Sequence, residues 1–187
     1  NGKQAESFRI SRNGIPSGKT YFNQDGKNIK TISYHDNGNV EQIQNYADKT
    51  FSSFDENNKL VEEKFKIPNK TDWSVYKKYH KNSTVLASET FYFKEETDSI
   101  NRQFFEDGTL QQQFEYKKNK RNGLFIEYEI NGEIKTKGSY VNDQMEGKWI
   151  RNNKTSFYKN GKLEIVPTLK KCECNDTLMP ANKLRYA

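Results

Sequence analysis

The sequence predicts an all-β fold, a solenoid-like array of successive antiparallel β-hairpins, and three observations carry that expectation. Four landmarks recur at one fixed spacing, turn dipeptides punctuate the chain, and the segments between them alternate with period two. Gly108 and Gly132, Tyr116 and Tyr140, Gly123 and Gly147, and Phe125 and Trp149 are each separated by 24 residues. Four landmarks that shift together mark an internal repeat.

The clearest copies fill residues 105–163. The first runs from Phe105 through Gly108, Leu110, Tyr116 and Asn122-Gly123 to Phe125 and Tyr128. The next begins on Tyr128 and passes through Gly132, Ile134 and Tyr140 to Gly147 and Trp149. Tyr158 to Leu163 repeats the opening half through Gly161. Nearer the N-terminus, Asn13-Gly14 and Gly18-Lys19 before Tyr21 read as a closing half. Opening halves follow from Tyr21 to Ile29, from Tyr34 to Tyr46, and from Phe54 to Leu60. In the last of these Asn58 stands where the others have Gly, and Asn is the non-Gly residue best suited to left-handed backbone.

Asp-Gly at 25–26 and 107–108, and Asn-Gly at 37–38, 122–123, 131–132 and 160–161, are hairpin signals. Tight turns there need positive φ at their central residues. After the turns the chain alternates: Leu110, Gln112, Phe114 and Tyr116 share one side, with Thr109, Gln111, Gln113 and Glu115 on the other. Such alternation means half-buried strands. The pattern is degenerate over residues 66–97, where Pro68-Asn69-Lys70-Thr71-Asp72 makes a turn-rich connection and two weak repeats are expected around an irregular insertion. The array is therefore expected over 1–166, with 167–187 as a C-terminal cap or tail.

Composition agrees with a thin sheet. Hydrophobic residues make up 32% of the 187 residues, and mean hydropathy is −1.11, below the about 45–50% apolar content of ordinary domains. The chain nevertheless holds 2 Trp, 11 Tyr and 12 Phe, which disordered segments lack. Large rings on few strands suit a single layer better than a deep core.

The formal net charge of +6 comes from Lys spread along the chain, so no nucleic-acid partner is expected. The run Lys117-Lys118-Asn119-Lys120-Arg121 reads as a solvated hairpin connection just before Asn122-Gly123. No apolar stretch approaches the roughly 20 residues of a membrane helix, so no integral membrane association is expected. The first residue is Asn, which implies a processed or trimmed chain and leaves envelope and cytoplasmic locations both open.

Catalytic chemistry finds little footing, and no catalytic residue is assigned. His35 and His80 are far apart and read as exposed polar residues. Glu62-Glu63 and Glu95-Glu96 are adjacent pairs, which in a strand point to opposite sides. No phosphate loop, nucleophile elbow or zinc signature occurs, and neither a metal site nor a cofactor is expected. Cys172 and Cys174 read as two thiols, or as one loop disulfide in an exported protein; their redox state stays open.

At Tyr/Phe-x-x-x-Gly-x-Leu/Ile, with a Tyr some six residues on and then Gly-x-Trp/Phe, the sequence resembles the bacterial MORN-repeat variant, found in proteins of the YwqK-type antitoxin family. The resemblance implies an elongated, twisted antiparallel sheet of successive hairpins. It also implies a non-catalytic protein-interaction repeat protein, of the antitoxin or immunity kind, binding its partner on a sheet face.

Equivalent positions should align Phe125 with Trp149 along one side, in the first place as ring residues that define the core of the repeat. Arg121 and Arg151 are expected among the Lys, Gln and Glu of the other side. Trp73, Arg121, Phe125, Trp149 and Arg151 are thus the candidate partner-binding residues, and a mixed aromatic and basic surface implies an acidic protein partner. The alternative is a cell-envelope ligand binder for carbohydrate or anionic lipid. Nothing in the pattern indicates an oligomeric state.

Overall fold

The computed structural model describes residues 5–70, 72–93 and 97–165. Cys172, Cys174 and the expected cap or tail lie outside these residues, as do Glu95 and Glu96.

Among the described residues there are fifteen β-strands and no helix. β1 (Ala5–Ile10), β2 (Pro16–Phe22), β3 (Asn28–Tyr34), β4 (Val40–Asn45) and β5 (Thr50–Phe54) come first. β6 (Leu60–Lys66), β7 (Trp73–Tyr79), β8 (Leu86–Phe93), β9 (Asp98–Phe104) and β10 (Leu110–Lys117) follow. β11 (Lys120–Tyr128), β12 (Ile134–Val141), β13 (Gln144–Arg151), β14 (Lys154–Lys159) and β15 (Lys162–Glu164) complete the set. Spatial order equals sequence order in one open antiparallel sheet, as the repeat pattern predicts. The period is visible in the strands themselves, since β10 and β12, and β11 and β13, begin 24 residues apart.

Two kinds of turn recur, and the sequence signals separate them only in part. Asp25-Gly26, Asn37-Gly38, Asp107-Gly108 and Asn131-Gly132 sit in three-residue loops. In one of these, His35 N–H donates to the Asn39 carbonyl at 2.9 Å and Gly38 N–H to the His35 carbonyl at 2.9 Å. Only the glycine is left-handed there, with φ of 83° at Gly38, the loop type that ends in a single such residue. Asn58 fills the same place with φ 61°. Two-residue turns with both central residues at positive φ occur at Lys118-Asn119, Asn142-Asp143, Asn152-Asn153 and Asn160-Gly161. The basic run at 117–121 is therefore a turn, as expected.

Asn122-Gly123 is not a turn; it lies inside β11. Phe114 pairs with Phe125 and Tyr116 with Arg121, so Asn122, Gly123 and Leu124 stand opposite the single residue Glu115. This is a β-bulge, and an Asn-Gly step accommodates its unusual backbone as readily as a turn would. Gly123 has φ 117°, and the Glu115 carboxylate accepts the Leu124 N–H at 3.2 Å. One period later Gly147, at φ 68°, occupies the matching bulge opposite Gly138.

The degenerate stretch holds two complete strands. β6, β7, β8 and β9 pair in sequence order, with one register shift between Lys78 and Tyr79 in the β7–β8 pairing, and the Pro68 connection is a longer loop closed by Ile67 N–H on the Trp73 carbonyl at 3.1 Å. His35 and His80, expected as exposed, are half-buried. Their Nε2 atoms donate to the carbonyls of Phe54 at 2.9 Å and Phe104 at 3.0 Å. Each histidine thereby ties its turn to the strand preceding the next turn on the same edge of the sheet.

Paired residues share a side of the sheet and alternate along each strand. One side carries Phe51, Tyr76, Thr90, Phe114, Phe125 and Trp149. The other carries Ile43, Phe65, Val75, Phe91, Ile100 and Ile126. Val75 (3% exposed) and Ile126 (7%) are buried on the second side, and Trp149 (1%) on the first. Neither side is the core side, and these three are the only buried apolar side chains among the described residues.

Glu62 and Glu63 do point to opposite sides, and each takes a tyrosine from β7. Tyr76 donates to Glu62, and Tyr79 donates to Glu63 at 2.8 Å. Burial, then the hydrogen bond to the neighbouring carboxylate, pushes both phenols from 10.0 up to about 12. Because the folded value is raised, the stabilisation is complete below the unfolded value near 10 and is lost as pH rises through about 12. Denaturation midpoints are expected to fall between those limits, while phenolate absorbance shows two tyrosines titrating late; late titration without any stability change would contradict this.

The bulges make a second prediction. Gly147→Ala has open space for its Cβ, so its cost is backbone strain alone, about 1 kcal/mol. Gly123→Ala adds a clash, because its Cβ would fall 2.0 Å from a Glu115 oxygen. Urea denaturation should rank wild type above Gly147→Ala and Gly147→Ala above Gly123→Ala.

Candidate interaction surface

The best-defined cluster of the molecule lies where β11 to β14 meet on the first side. Trp149 packs over Gly138: a Cβ built on Gly138 would fall 2.1 Å from Trp149 Cδ2. Phe125 stacks against the indole, with centroids 5.9 Å apart and planes 25° apart. Tyr140 meets it edge-on at 5.0 Å and Tyr158 at 6.4 Å. Three strands thus supply rings to a fourth, and the missing side chain at Gly138 makes the room. The indole is enclosed, and its Nε1 has no hydrogen-bond acceptor.

Trp149, both a repeat-defining ring and a candidate partner-binding residue by sequence, is the centre of the packing at 1% exposure. What lies over the rings is guanidinium. Arg151 sits over the Trp149 ring, 5.5 Å from its centroid, and Arg121 over Tyr140 at 4.3 Å. Both arginines therefore lie on the aromatic side, not the opposite one. The reason is parity: Arg151 is two residues from Trp149 and Arg121 four from Phe125, and even offsets in a strand share a side.

The two arginines differ electrostatically. Asp143 Oδ1 accepts the Arg121 backbone N–H at 2.9 Å and lies 3.4 Å from Arg121 Nε. That backbone hydrogen bond, with the adjacent guanidinium, holds the Asp143 carboxyl below its ordinary value. Arg151 is exposed, contacts Met145 Sδ at 3.5 Å and has no carboxylate partner among the described residues. Lys135 is paired with Glu127 at 2.9 Å, which raises its pKa. Residues 117–164 hold eleven Lys or Arg against six Asp or Glu, whereas 5–116 hold fifteen against seventeen. The excess of positive charge belongs to the strands that build this cluster, on both of their sides.

Trp73 does not join the cluster. It pairs with Phe93 on the second side, 5.1 Å between ring centroids. Gly138, Tyr140 and Tyr158 are the members that the sequence reading missed. Gly138 was detectable, since the previous repeat has Phe114 at that place and Phe125 at the place of Trp149: the larger ring comes with the smaller neighbour. Among the described residues no group of three or more His, Cys, Asp or Glu is placed to hold a metal ion. No helix of the described residues is long and apolar enough to cross a membrane.

Gly138→Ala should displace the indole and destabilise the chain by about 1–3 kcal/mol. The check is thermal unfolding together with Trp emission, which should shift to the red as Trp149 meets water; an unchanged melting curve and spectrum would mean that Trp149 does not depend on the glycine.

Residues 27–48 and 98–118 match the family model described as MORN repeat variant. Each match spans one hairpin and its three-residue loop, β3 with β4 and β9 with β10. No curated protein matches the chain. Two segments of this repeat-built chain, both within one continuous sheet, are thus similar to the MORN repeat variant.

Proposed function

We propose that the chain is a non-catalytic protein-interaction module whose C-terminal repeats present guanidinium groups on an aromatic bed to an acidic protein partner. The observation that supports this best is Arg151, a cation without a carboxylate partner among the described residues, placed over a ring that is itself packed between Phe125 and Tyr140. A guanidinium so placed keeps planar N–H donors for a carboxylate while its stem is already ordered. Preordering lowers the entropy lost on binding. The MORN repeat is a non-catalytic unit, and nothing in the cluster pairs a nucleophile with a base. Toxin neutralisation is one form such binding takes, in which the acidic partner is the toxin.

Charge at such a surface speeds encounter, so association should slow as salt rises, and the central contacts should govern dissociation. A partner captured from the source organism and then purified allows the test by surface kinetics. Arg151→Glu is expected to reduce affinity at least about tenfold, corresponding to about 1.4 kcal/mol, without lowering thermal stability. Equal binding by Arg151→Glu, or binding indifferent to salt, would place the partner elsewhere. Turnover of any substrate by the purified chain in a broad hydrolase screen would overturn the non-catalytic reading.

A further inference from the structure

The second side of the sheet carries a separate feature, a shallow depression of about 330 Å³ at the ends of β7 to β11. Its apolar wall is Trp73, tilted 44° against Phe93, with Ile100 beside them. Its polar rim comes from Asp98, Glu115, Lys117 and Asn122. Trp73 lies here and not in the aromatic cluster, and nothing in the interaction surface uses it.

The hydrogen-bonding state of the rim is informative. The Asn122 amide and the Lys117 ammonium have no partner among the described residues. Asp98 uses Oδ1 for the Lys118 N–H at 2.8 Å, and Glu115 uses Oε2 for the Leu124 N–H. Each carboxylate is thereby fixed in direction and keeps its other oxygen. Donors and acceptors therefore surround an aromatic wall, and their positions are set by backbone contacts at the bulge and the adjoining turn.

Charge decides among ligand classes. A cation would meet Lys117, and an anion would meet Asp98 and Glu115. A purely apolar ligand would cover polar groups without replacing their hydrogen bonds with water. A neutral polyhydroxylated ring satisfies all three constraints, because its C–H face lies on an aromatic ring while its hydroxyls both donate and accept. The volume is at the low end for ligand sites, about 300–1,000 Å³, which suits one or two sugar rings. We infer that the Trp73 depression is a subsite for a neutral saccharide, with Trp73 as the stacking platform and Asn122, Asp98, Glu115 and Lys117 as hydroxyl partners.

The test uses the full chain and three probes: cellotetraose, maltotetraose and chitotetraose. Trp73 and Trp149 are the two tryptophans, and Trp149 is enclosed, so acrylamide quenching reports chiefly on Trp73. At least one probe should bind saturably by calorimetry and shield Trp73 from acrylamide. Trp73→Ala should weaken that binding about tenfold, the scale of one lost ring contact, and Asn122→Ala should weaken it by less. Arg151→Glu should leave it unchanged, which separates this site from the protein-binding surface. Should Trp73→Ala fail to fold, Asn122→Ala and the quenching of wild type decide the matter. Failure of all three probes, retention of binding in Trp73→Ala and Asn122→Ala, or equal competition by tetramethylammonium or acetate would overturn the inference.

Discussion

A sheet with no second layer must find its packing within itself. Here every substantial contact between strands joins sequence neighbours, so among the described residues no helix or facing sheet buries either side. Apolar area can be removed from water only by side chains lying across adjacent strands. Small aliphatic groups reach little across the interstrand spacing of about 4.8 Å, whereas rings span it. The aromatic-rich, aliphatic-poor composition follows from this geometry, as does the scarcity of fully buried side chains. Trp149 is enclosed because one strand gives up a side chain at Gly138 while its neighbours supply three rings.

The same constraint makes stability local. Each hairpin leans on the one before and after it, the nearest-neighbour arrangement of repeat proteins. Secondary ties then run along the sheet edge, such as His35 to the Phe54 carbonyl, Asn37 and Asn39 to the Glu56 carbonyl, and His80 to the Phe104 carbonyl. Histidine at these turns serves as a donor across a gap that the backbone ladder leaves open.

Strand existence, order and period were legible because a repeat of 24 residues moves turn glycines and rings together. Turn type was less so: Asn-Gly served a three-residue loop at 37–38, a bulge at 122–123 and a two-residue turn at 160–161. All three need a left-handed residue, so the dipeptide states the conformation and not the topology. The side taken by Arg121 and Arg151 was legible in principle, since the bulge at Asn122 adds residues without changing parity relative to Phe125. Residue type suggested a polar side, but parity prevails because the backbone fixes it. Trp73 was not legible, for its side is set through the pairings of β6 to β9, across the loop where the repeat is degenerate.

The bulge in β11 has a further consequence in a single layer. Arg121 belongs to the aromatic side, Asn122 lines the depression on the other, and Gly123 gives the backbone the freedom to present both. Glu115 holds that geometry by accepting the Leu124 N–H, and the same residue lines the depression. In a two-layer protein a core would separate surfaces built from successive residues. Here they are separated by one peptide plane, so the position of the Arg121 backbone and the shape of the depression follow from the same few dihedral angles. The glycine there serves two surfaces at once, whereas Gly147, whose bulge lacks a matching carboxylate, shapes only the Trp149 side.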